Sequence, residues 1–234
     1  MKSYPSPNRN DRDPAVPLRY IVLHYTGMKT GAAALQRLCD PKAEVSAHYV
    51  VQEAGAVVQL VDEAKRAWHA GQSWWHGVTD MNSASIGIEL VNPGHQHGYR
   101  PFPTVQISSL TKLLRDIIQR QGMEAKTCLL AHSDIAPERK EDPGELFPWR
   151  KLAEQGFGMW PDDAPYDIAA LNDLAVQELL RGIGYNCPTS GDYDRQTRAC
   201  LLAFQRRFHP ENLTGTPEAE TLRRLVAVSK FGDA

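Results

Sequence analysis

The residue types best suited to chemistry in this 234-residue chain are gathered between positions 132 and 144. His132 opens the segment and Asp142 lies near its end. Pro137 and Pro143 exclude a regular helix through it, because proline has no amide hydrogen and collides with the preceding turn. We therefore expect a loop that folds back and brings the imidazole of His132 and the carboxylate of Asp142 to face one point.

A metal site in this loop would need a third ligand and a group that accepts a proton. Candidates for both lie in apolar stretches elsewhere in the chain. His24 lies at the end of the apolar run 20–27, and Glu89 is flanked by apolar residues. Two histidine nitrogens and one aspartate oxygen, from His24, His132 and Asp142, would suit zinc with a fourth position open to water. A zinc ion so held activates water and polarises a carbonyl, as attack on an amide requires. A histidine is more often structural than a ligand, and the chain has eight, so residue types alone leave the choice open.

The elements that must position these residues follow from the hydrophobic pattern. Continuous apolar runs indicate buried strands, and apolar residues at helical spacing indicate an amphipathic helix. The sequence predicts, in order, a strand at 20–27, a short helix at 31–38, a hairpin formed by 46–52 and 57–61, a strand at 85–91, a helix at 104–121 and a strand at 127–131. This alternation indicates an α/β fold, in which helices flank a mixed central sheet.

Composition divides the chain into four segments. They are a polar N-terminal leader at 1–17, a main domain at 18–160, a proline-rich and acidic linker at 161–167 and a small three-helix domain at 168–230. The linker has little to bury, and the small domain depends on tight packing of its helices.

Charge and hydropathy exclude several classes of partner. The formal net charge is −2, with no basic stripe, so we expect no nucleic-acid partner. No run approaches the ~18 apolar residues of a membrane span. The leader lacks the apolar core of a signal peptide and has no early cysteine for a lipid anchor, so the sequence as given predicts a cytoplasmic protein. If an export signal has been removed, the periplasm or cell envelope is expected instead.

The four cysteines form no C-x-x-C pair, so buried free thiols are expected. Cys187 and Cys200 are close enough in sequence to bridge in an oxidising compartment, which remains an alternative.

Five segments resemble, in order, the zinc-dependent N-acetylmuramoyl-L-alanine amidases of the type 2 family, with the closest likeness to the AmiD/AmpD branch. The segments are 21–26, 46–49, 67–71, 85–90 and 132–149, and the resemblance covers residues 18–160. Segments 176–180, 182–185 and 191–194, with Thr197, Phe204, Gly215 and Thr221, resemble a three-helix peptidoglycan-binding domain. Such a domain would act by avidity, tethering the enzyme to its substrate.

The resemblance implies one Zn²⁺ per chain, held by His24, His132 and Asp142, with Glu89 as the catalytic acid/base and Lys140 steadying the oxyanion. The residues themselves are compatible with these roles. Burial on an apolar strand would raise the pKa of Glu89, which suits a group that takes and returns a proton, and Lys140 could place a cation beside the carbonyl oxygen. The alternatives are a strand glutamate facing solvent and a solvated loop lysine.

Four further side chains are weaker candidates for contact with substrate: His69, Trp68, Tyr25 and His48. A buried structural imidazole is at least as good an interpretation for His48, and a role in orienting another side chain is open for both histidines. Trp68, Trp74 and Trp75 would line a groove or pack in the core.

The implied function is hydrolysis of the lactyl-amide bond between N-acetylmuramic acid and L-alanine, in peptidoglycan or in muropeptides, during cell-wall turnover. Two alternatives stay open. One is a non-catalytic peptidoglycan-recognition protein, against which the complete ligand set argues. The other is a zinc peptidase acting on the stem peptide, although the chain has no His-Glu-x-x-His motif. A monomer is expected.

Overall fold

The computed structural model describes residues 2–231, and within them the chain forms a mixed sheet with helices on both faces. The strands are β1 (Lys2–Ser3), β2 (Arg9–Asp11), β3 (Tyr20–Tyr25), β4 (Tyr49–Val51), β5 (Val57–Gln59), β6 (Lys65–Ala67), β7 (Ser85–Leu90) and β8 (Leu129–Ala131). The helices are α1 (Gly31–Cys39), α2 (Met81–Ala84), α3 (Thr104–Gln121), α4 (His132–Ile135), α5 (Trp149–Ala153), α6 (Asp173–Ile183), α7 (Arg195–Phe208) and α8 (Ala219–Ser229).

The central sheet has the strand order β1-β5-β4-β7-β3-β8. Strand β3 lies between β7 and β8 and runs parallel to both, while β4 and β5 form the antiparallel hairpin. The predicted α/β fold with a mixed sheet is confirmed, as are the main strands and the helix at 104–121. Parallel strands end at the same edge of a sheet, so β3, β7 and β8 deliver their last residues to one place.

The two faces of the sheet carry different partners because side chains alternate along each strand. Ile21, Leu23 and Ile88 pack with α3 in one core cluster. Val22 and Leu130 belong to the opposite face and to a second cluster. His24 follows this alternation onto the face away from α3, so the candidate chemistry lies on the side of the sheet that α3 leaves free.

The N-terminal segment differs from the polar leader that the sequence predicts. Apart from Met1, which lies outside the described residues, it contributes β1, which pairs with β5, and β2, which forms a separate two-stranded sheet with β6. Arg12 donates hydrogen bonds to the carbonyls of Asn82, Ser83 and Ser85, at 2.6 to 3.0 Å. These contacts make the segment part of the fold, which its polar composition does not reveal.

The segment from residue 132 to 144 also differs in part from the predicted loop. It begins with α4, a single helical turn, because the first proline comes only after that turn, at position 137. Beyond the turn the chain is irregular and folds back, as expected. Asp142 accepts the backbone N–H of Ser133 at 3.0 Å through its carbonyl oxygen, so the two ends of the segment are joined.

The three C-terminal helices form the predicted small domain, and this domain shares a core with the main domain. The avidity role stays a prediction, because packing between the domains does not test it. Trp75, buried to 2% exposure, packs edge-on against Tyr185 with ring centroids 5.1 Å apart. Gly184 lies against the same indole, where an added Cβ would come within 2.5 Å of the ring. A continuous core of this kind couples the two parts mechanically, unlike a flexible linker.

All four cysteines are free thiols, Cys187 and Cys200 included, and both of those are buried. Among the helices of residues 2–231, none combines the length and the apolar character that crossing a membrane requires.

Replacing Trp75 by alanine tests the shared core. We expect the free energy of unfolding of the whole chain to fall by about 3–5 kcal/mol, because a large buried ring leaves a cavity that the surroundings fill only partly. Urea unfolding followed by circular dichroism would measure it as one transition. Trp74→Ala is the matched control, since that indole is only half-buried, and should cost less than half as much. Two separate transitions in the wild-type protein would contradict a common core.

Candidate metal centre

Three potential ligand atoms converge at the carboxyl edge of the sheet. The Nδ1 atoms of His24 and His132 are 2.9 Å apart, and each lies 3.0 Å from Oδ2 of Asp142. Ligands about 2 Å from a tetrahedral zinc ion are separated by ~3.3 Å, close to the observed triangle. All three side chains are buried. The structure therefore brings together the three residues that the sequence singled out.

Strand register explains why these residues meet. His24 and Glu89 are directly paired across the parallel strands β3 and β7, so their side chains leave the same face of the sheet side by side. His132 follows β8, the other neighbour of β3, at once. The Ser133 N–H donates to the carbonyl of Asp142, which holds the third residue against the other two.

The protonation pattern fits a cation at the centre of the triangle. The carbonyl of Ala70 lies 3.1 Å from Nε2 of His132, and because a carbonyl accepts only, Nε2 carries the hydrogen. Nδ1 of a neutral His132 is then an acceptor that faces the carboxylate of Asp142 at 3.0 Å. Two acceptors at this distance repel each other unless a positive charge lies between them. These lone pairs therefore suit a metal ion, because no hydrogen is left to form a hydrogen bond between the two atoms.

His69 orients His24 from behind. Its Nδ1 lies 3.1 Å from Nε2 of His24, and its Nε2 lies 3.4 Å from Oγ of Ser85, whose hydroxyl donates to the carbonyl of Met81. With that hydroxyl committed, a consistent chain has His69 donating to Ser85 and His24 donating to His69. Nδ1 of His24 is then free to bind a cation, which is the usual role of a hydrogen-bond partner behind a histidine ligand.

The close approach of His69 depends on a glycine. A Cβ at Gly87 would come within 2.4 Å of the imidazole, so only glycine lets the ring lie flat on β7. The segment 85–90 was singled out by resemblance, and this contact gives the physical reason for its glycine.

Burial and neighbouring charge set the protonation of the ligands. Burial, followed by the charge of His132, lowers the pKa of His24 to about 4, so its imidazole is neutral near pH 7. Burial raises the pKa of Asp142, but the two neighbouring imidazoles lower it further than burial raises it, and the net shift is downward. A neutral histidine and an ionised carboxylate are the forms that bind a metal ion.

Glu89 has the environment of a proton-transfer group. Its Oε2 is buried and has no hydrogen-bond partner among residues 2–231. Burial, and then the charge of Asp142, raise the pKa of Glu89 well above its ordinary value, while the nearby Lys140 opposes the shift. The solvent-facing alternative for Glu89 does not describe this carboxylate. An unpartnered oxygen aimed into a site is available to a substrate or to water.

A cavity of about 340 Å³ is lined by the three potential ligands. Glu89, Lys140, His69, Trp68 and Tyr25 all line it, together with His24, His132 and Asp142. The volume lies within the range of small-molecule sites.

One wall of this cavity depends on the N-terminal segment. The indole N–H of Trp68 donates to Oδ1 of Asn10 at 2.6 Å, so β2 orients the ring. On the opposite rim, Tyr25 contacts His95 at 3.0 Å, and His95 stacks on Tyr99 with centroids 4.2 Å apart. No signal in the sequence identified His95, because it follows a glycine in a polar loop.

His48, Trp74 and Trp75 lie outside the cavity lining. His48 does not line the cavity; Nδ1 accepts the N–H of Gly87 at 2.9 Å and Nε2 lies 3.0 Å from the carbonyl of Lys65. The structural interpretation therefore describes this fully buried ring. Trp74 and Trp75 are also absent from the cavity lining, since Trp75 packs against the C-terminal helices.

Comparison with known proteins gives a family model that matches residues 14–145, described as N-acetylmuramoyl-L-alanine amidase, and a peptidoglycan binding domain model that matches residues 173–225. N-acetylmuramoyl-L-alanine amidase AmiD of Escherichia coli is 37% identical over 99% of this chain and 90% of its own length. 1,6-Anhydro-N-acetylmuramyl-L-alanine amidase AmpD of Haemophilus influenzae is 38% identical over 46% of this chain and 56% of its own length.

Solved structures show the same likeness. AmiD of Escherichia coli in complex with anhydro-N-acetylmuramic acid-L-Ala-D-γ-Glu-L-Lys superposes with a TM-score of 0.82 at 36% identity, over 96% of this chain and 94% of that one. AmpDh3 of Pseudomonas aeruginosa in complex with anhydromuramic pentapeptide has a TM-score of 0.81 at 33% identity, over 92% of both chains.

Replacing His69 by phenylalanine tests the orienting role while keeping a ring on Gly87. We expect zinc affinity, measured by competition with a chromogenic chelator, to fall about 10–100-fold because His24 loses its acceptor. His209→Phe is the control, since that buried histidine contacts Thr221 in the C-terminal domain. Equal zinc affinities for both variants and the wild type would contradict the role of His69.

Proposed function

This chain belongs to the N-acetylmuramoyl-L-alanine amidase family, and on that premise we propose which residues carry its chemistry. It is a peptidoglycan amide hydrolase that cleaves the bond between the lactyl carbonyl of N-acetylmuramic acid and the nitrogen of L-alanine. The observation that carries the proposal is the pairing of His24 with Glu89 across β3 and β7. That register puts a ligand atom and an unpartnered carboxylate oxygen in one cavity.

We assign one zinc ion to His24, His132 and Asp142. Two histidine nitrogens and a carboxylate oxygen are ligands that zinc accepts in catalytic sites. When bound, zinc supplies Lewis acidity, which polarises the substrate carbonyl and makes water more acidic.

Glu89 is the group that moves the proton. Its carboxylate takes a proton from the attacking water, and the raised pKa of Glu89 allows the same oxygen to hold that proton until the C–N bond breaks. It then gives the proton to the departing nitrogen of L-alanine. Oε2 has no hydrogen-bond partner among the described residues, so no hydrogen bond to the protein has to break before the proton is transferred.

Lys140 stabilises the charge that develops on the carbonyl oxygen. Its half-buried side chain lines the cavity with Glu89 and Asp142. The backbone N–H of Lys140 donates to the carbonyl of Ala136 at 3.0 Å, which anchors the residue to the end of α4. This contact holds the backbone of Lys140, and an ammonium that reaches the carbonyl oxygen from there would stabilise the charge that develops on it.

The substrate we propose is a muropeptide whose sugar is anhydro-N-acetylmuramic acid. The support is the pair of similar structures that hold such compounds, AmiD with an anhydromuramyl tripeptide and AmpDh3 with an anhydromuramic pentapeptide. The C-terminal helices correspond to a peptidoglycan binding domain, so polymeric peptidoglycan is the second substrate to compare.

Glu89→Gln tests the proton-transfer role. We expect kcat to fall about 10²–10⁴-fold, since an amide cannot accept the proton, while zinc content stays at one per chain. Mass spectrometry of products from an anhydromuropeptide and from sacculi would measure release of a stem peptide that begins with L-alanine. A chelator should abolish this release in the wild type, and exposed Glu154→Gln should leave it unchanged.

Two outcomes would contradict this assignment. Cleavage within the stem peptide would indicate a zinc peptidase. Binding to sacculi without any cleavage by the zinc-loaded wild type would indicate a recognition protein.

Lys140→Met tests the stabilisation of charge. We expect kcat to fall about 10²–10³-fold with zinc content unchanged, as for the loss of an oxyanion donor. Lys151→Met, in the exposed part of α5, is the control. A rise in KM with kcat unchanged would show that Lys140 only binds the ground state.

A further inference from the structure

A buried carboxylate next to a metal ligand takes two of its partners from the C-terminal domain. Asp134 is fully buried and lies two residues after His132, on the same helical turn. Its Oδ2 accepts the N–H of Ala131 at 2.8 Å and Nη1 of Arg207 at 2.7 Å. Its Oδ1 accepts the hydroxyl of Tyr185 at 2.8 Å. Besides the backbone N–H, Asp134 therefore accepts from one charged donor in α7, Arg207, and from one neutral donor in the loop after α6, Tyr185.

Arg207 is specialised for this contact. It is only 1% exposed, and its guanidinium lies over the ring of Trp149 at 4.2 Å and over that of Phe208 at 4.8 Å. Its Nε and Nη2 atoms have no hydrogen-bond partner within residues 2–231, so Asp134 is the one carboxylate it is seen to pair with there. Loss of either partner would leave a buried charge uncompensated.

Tyr185 supplies the neutral half of the contact. It is fully buried beside Trp75, so its ring is fixed by packing and its hydroxyl has a single direction. Burial, and then the charge of Asp134, raise the pKa of Tyr185, which keeps the hydroxyl a donor.

The turn that Asp134 fixes carries one of the three proposed zinc ligands and holds a second through a backbone hydrogen bond. His132 is its first residue, and the Ser133 N–H holds the carbonyl of Asp142 at 3.0 Å. A shift of the turn would therefore move both ligands together. His24 is independent of it, because β3 is held by hydrogen bonds to β7 and β8.

We infer that Arg207 and Tyr185 are positioning residues for the metal centre, acting through Asp134 to hold His132 and Asp142 at the separation that zinc requires. The C-terminal domain thus contributes to the geometry of the catalytic site through Asp134, besides any binding of the wall. This inference rests on the zinc site proposed above.

The test compares two conservative substitutions. Tyr185→Phe removes one hydrogen bond to Asp134 and keeps the ring, whereas Tyr193→Phe removes a hydrogen bond of 2.7 Å to the carbonyl of Gly215, inside the C-terminal domain. We expect Tyr185→Phe to weaken zinc about tenfold by chelator competition and to lower kcat at saturating zinc with KM unchanged. Tyr193→Phe should do neither. The melting temperatures of the two metal-free variants should agree.

A second pair of variants tests the charge. Arg207→Met should weaken zinc more than Tyr185→Phe does, and adding Asp134→Asn should recover part of the affinity, because the unpaired charge is then removed. If Arg207→Met does not fold, the tyrosine pair still decides. Equal zinc affinity for Tyr185→Phe, Tyr193→Phe and the wild type would overturn the inference while leaving the zinc site intact. A wild type that binds no zinc would overturn both.

Discussion

Mutual repulsion among electron pairs is the constraint on which the rest of this structure depends. Three acceptors, Nδ1 of His24, Nδ1 of His132 and Oδ2 of Asp142, lie within 3.0 Å of one another in a buried pocket. Such an arrangement persists only if the surrounding fold holds it or a cation neutralises it. The parallel strands hold His24, and the turn α4 holds His132 and, through Ser133, Asp142. The Nε2 hydrogens of the two histidines point away from the three acceptors, to His69 and to the carbonyl of Ala70.

Local sequence pattern was sufficient to predict much of the fold. The apolar run ending at His24, the run around Glu89 and the helical spacing from residue 104 to 121 each predict an element that the structure contains. The choice of His24, His132 and Asp142 among eight histidines and many carboxylates needed the family resemblance. Physical reasoning then explains the choice, because the parallel register of β3 and β7 places His24 and Glu89 side by side.

Contacts between residues far apart in sequence were not predictable from local pattern. Arg207 follows another arginine in α7, and no sequence pattern marks it as buried, yet it packs on Trp149 with 1% exposure. The polar stretch before residue 17 reads as a leader, although Arg12 caps carbonyls about seventy positions away. The sequence predicts His48 within a strand, whereas it lies just before β4, and only the structure shows its ring accepting from Gly87. In each case the partner of a polar side chain is distant in sequence, so composition and local pattern do not predict the contact.

The contacts of Asp134 with Arg207 and Tyr185 also bear on how the chain folds during its synthesis. A chain grows from its amino end, and domains generally begin to fold in that order as they leave the ribosome. The segments that carry the three acceptors are made well before helix α7, so the growing chain contains Asp134 before its counter-ion Arg207 has been translated. On the positioning role inferred above, the turn at His132 would reach its final geometry only after α7 has been made and has packed against it.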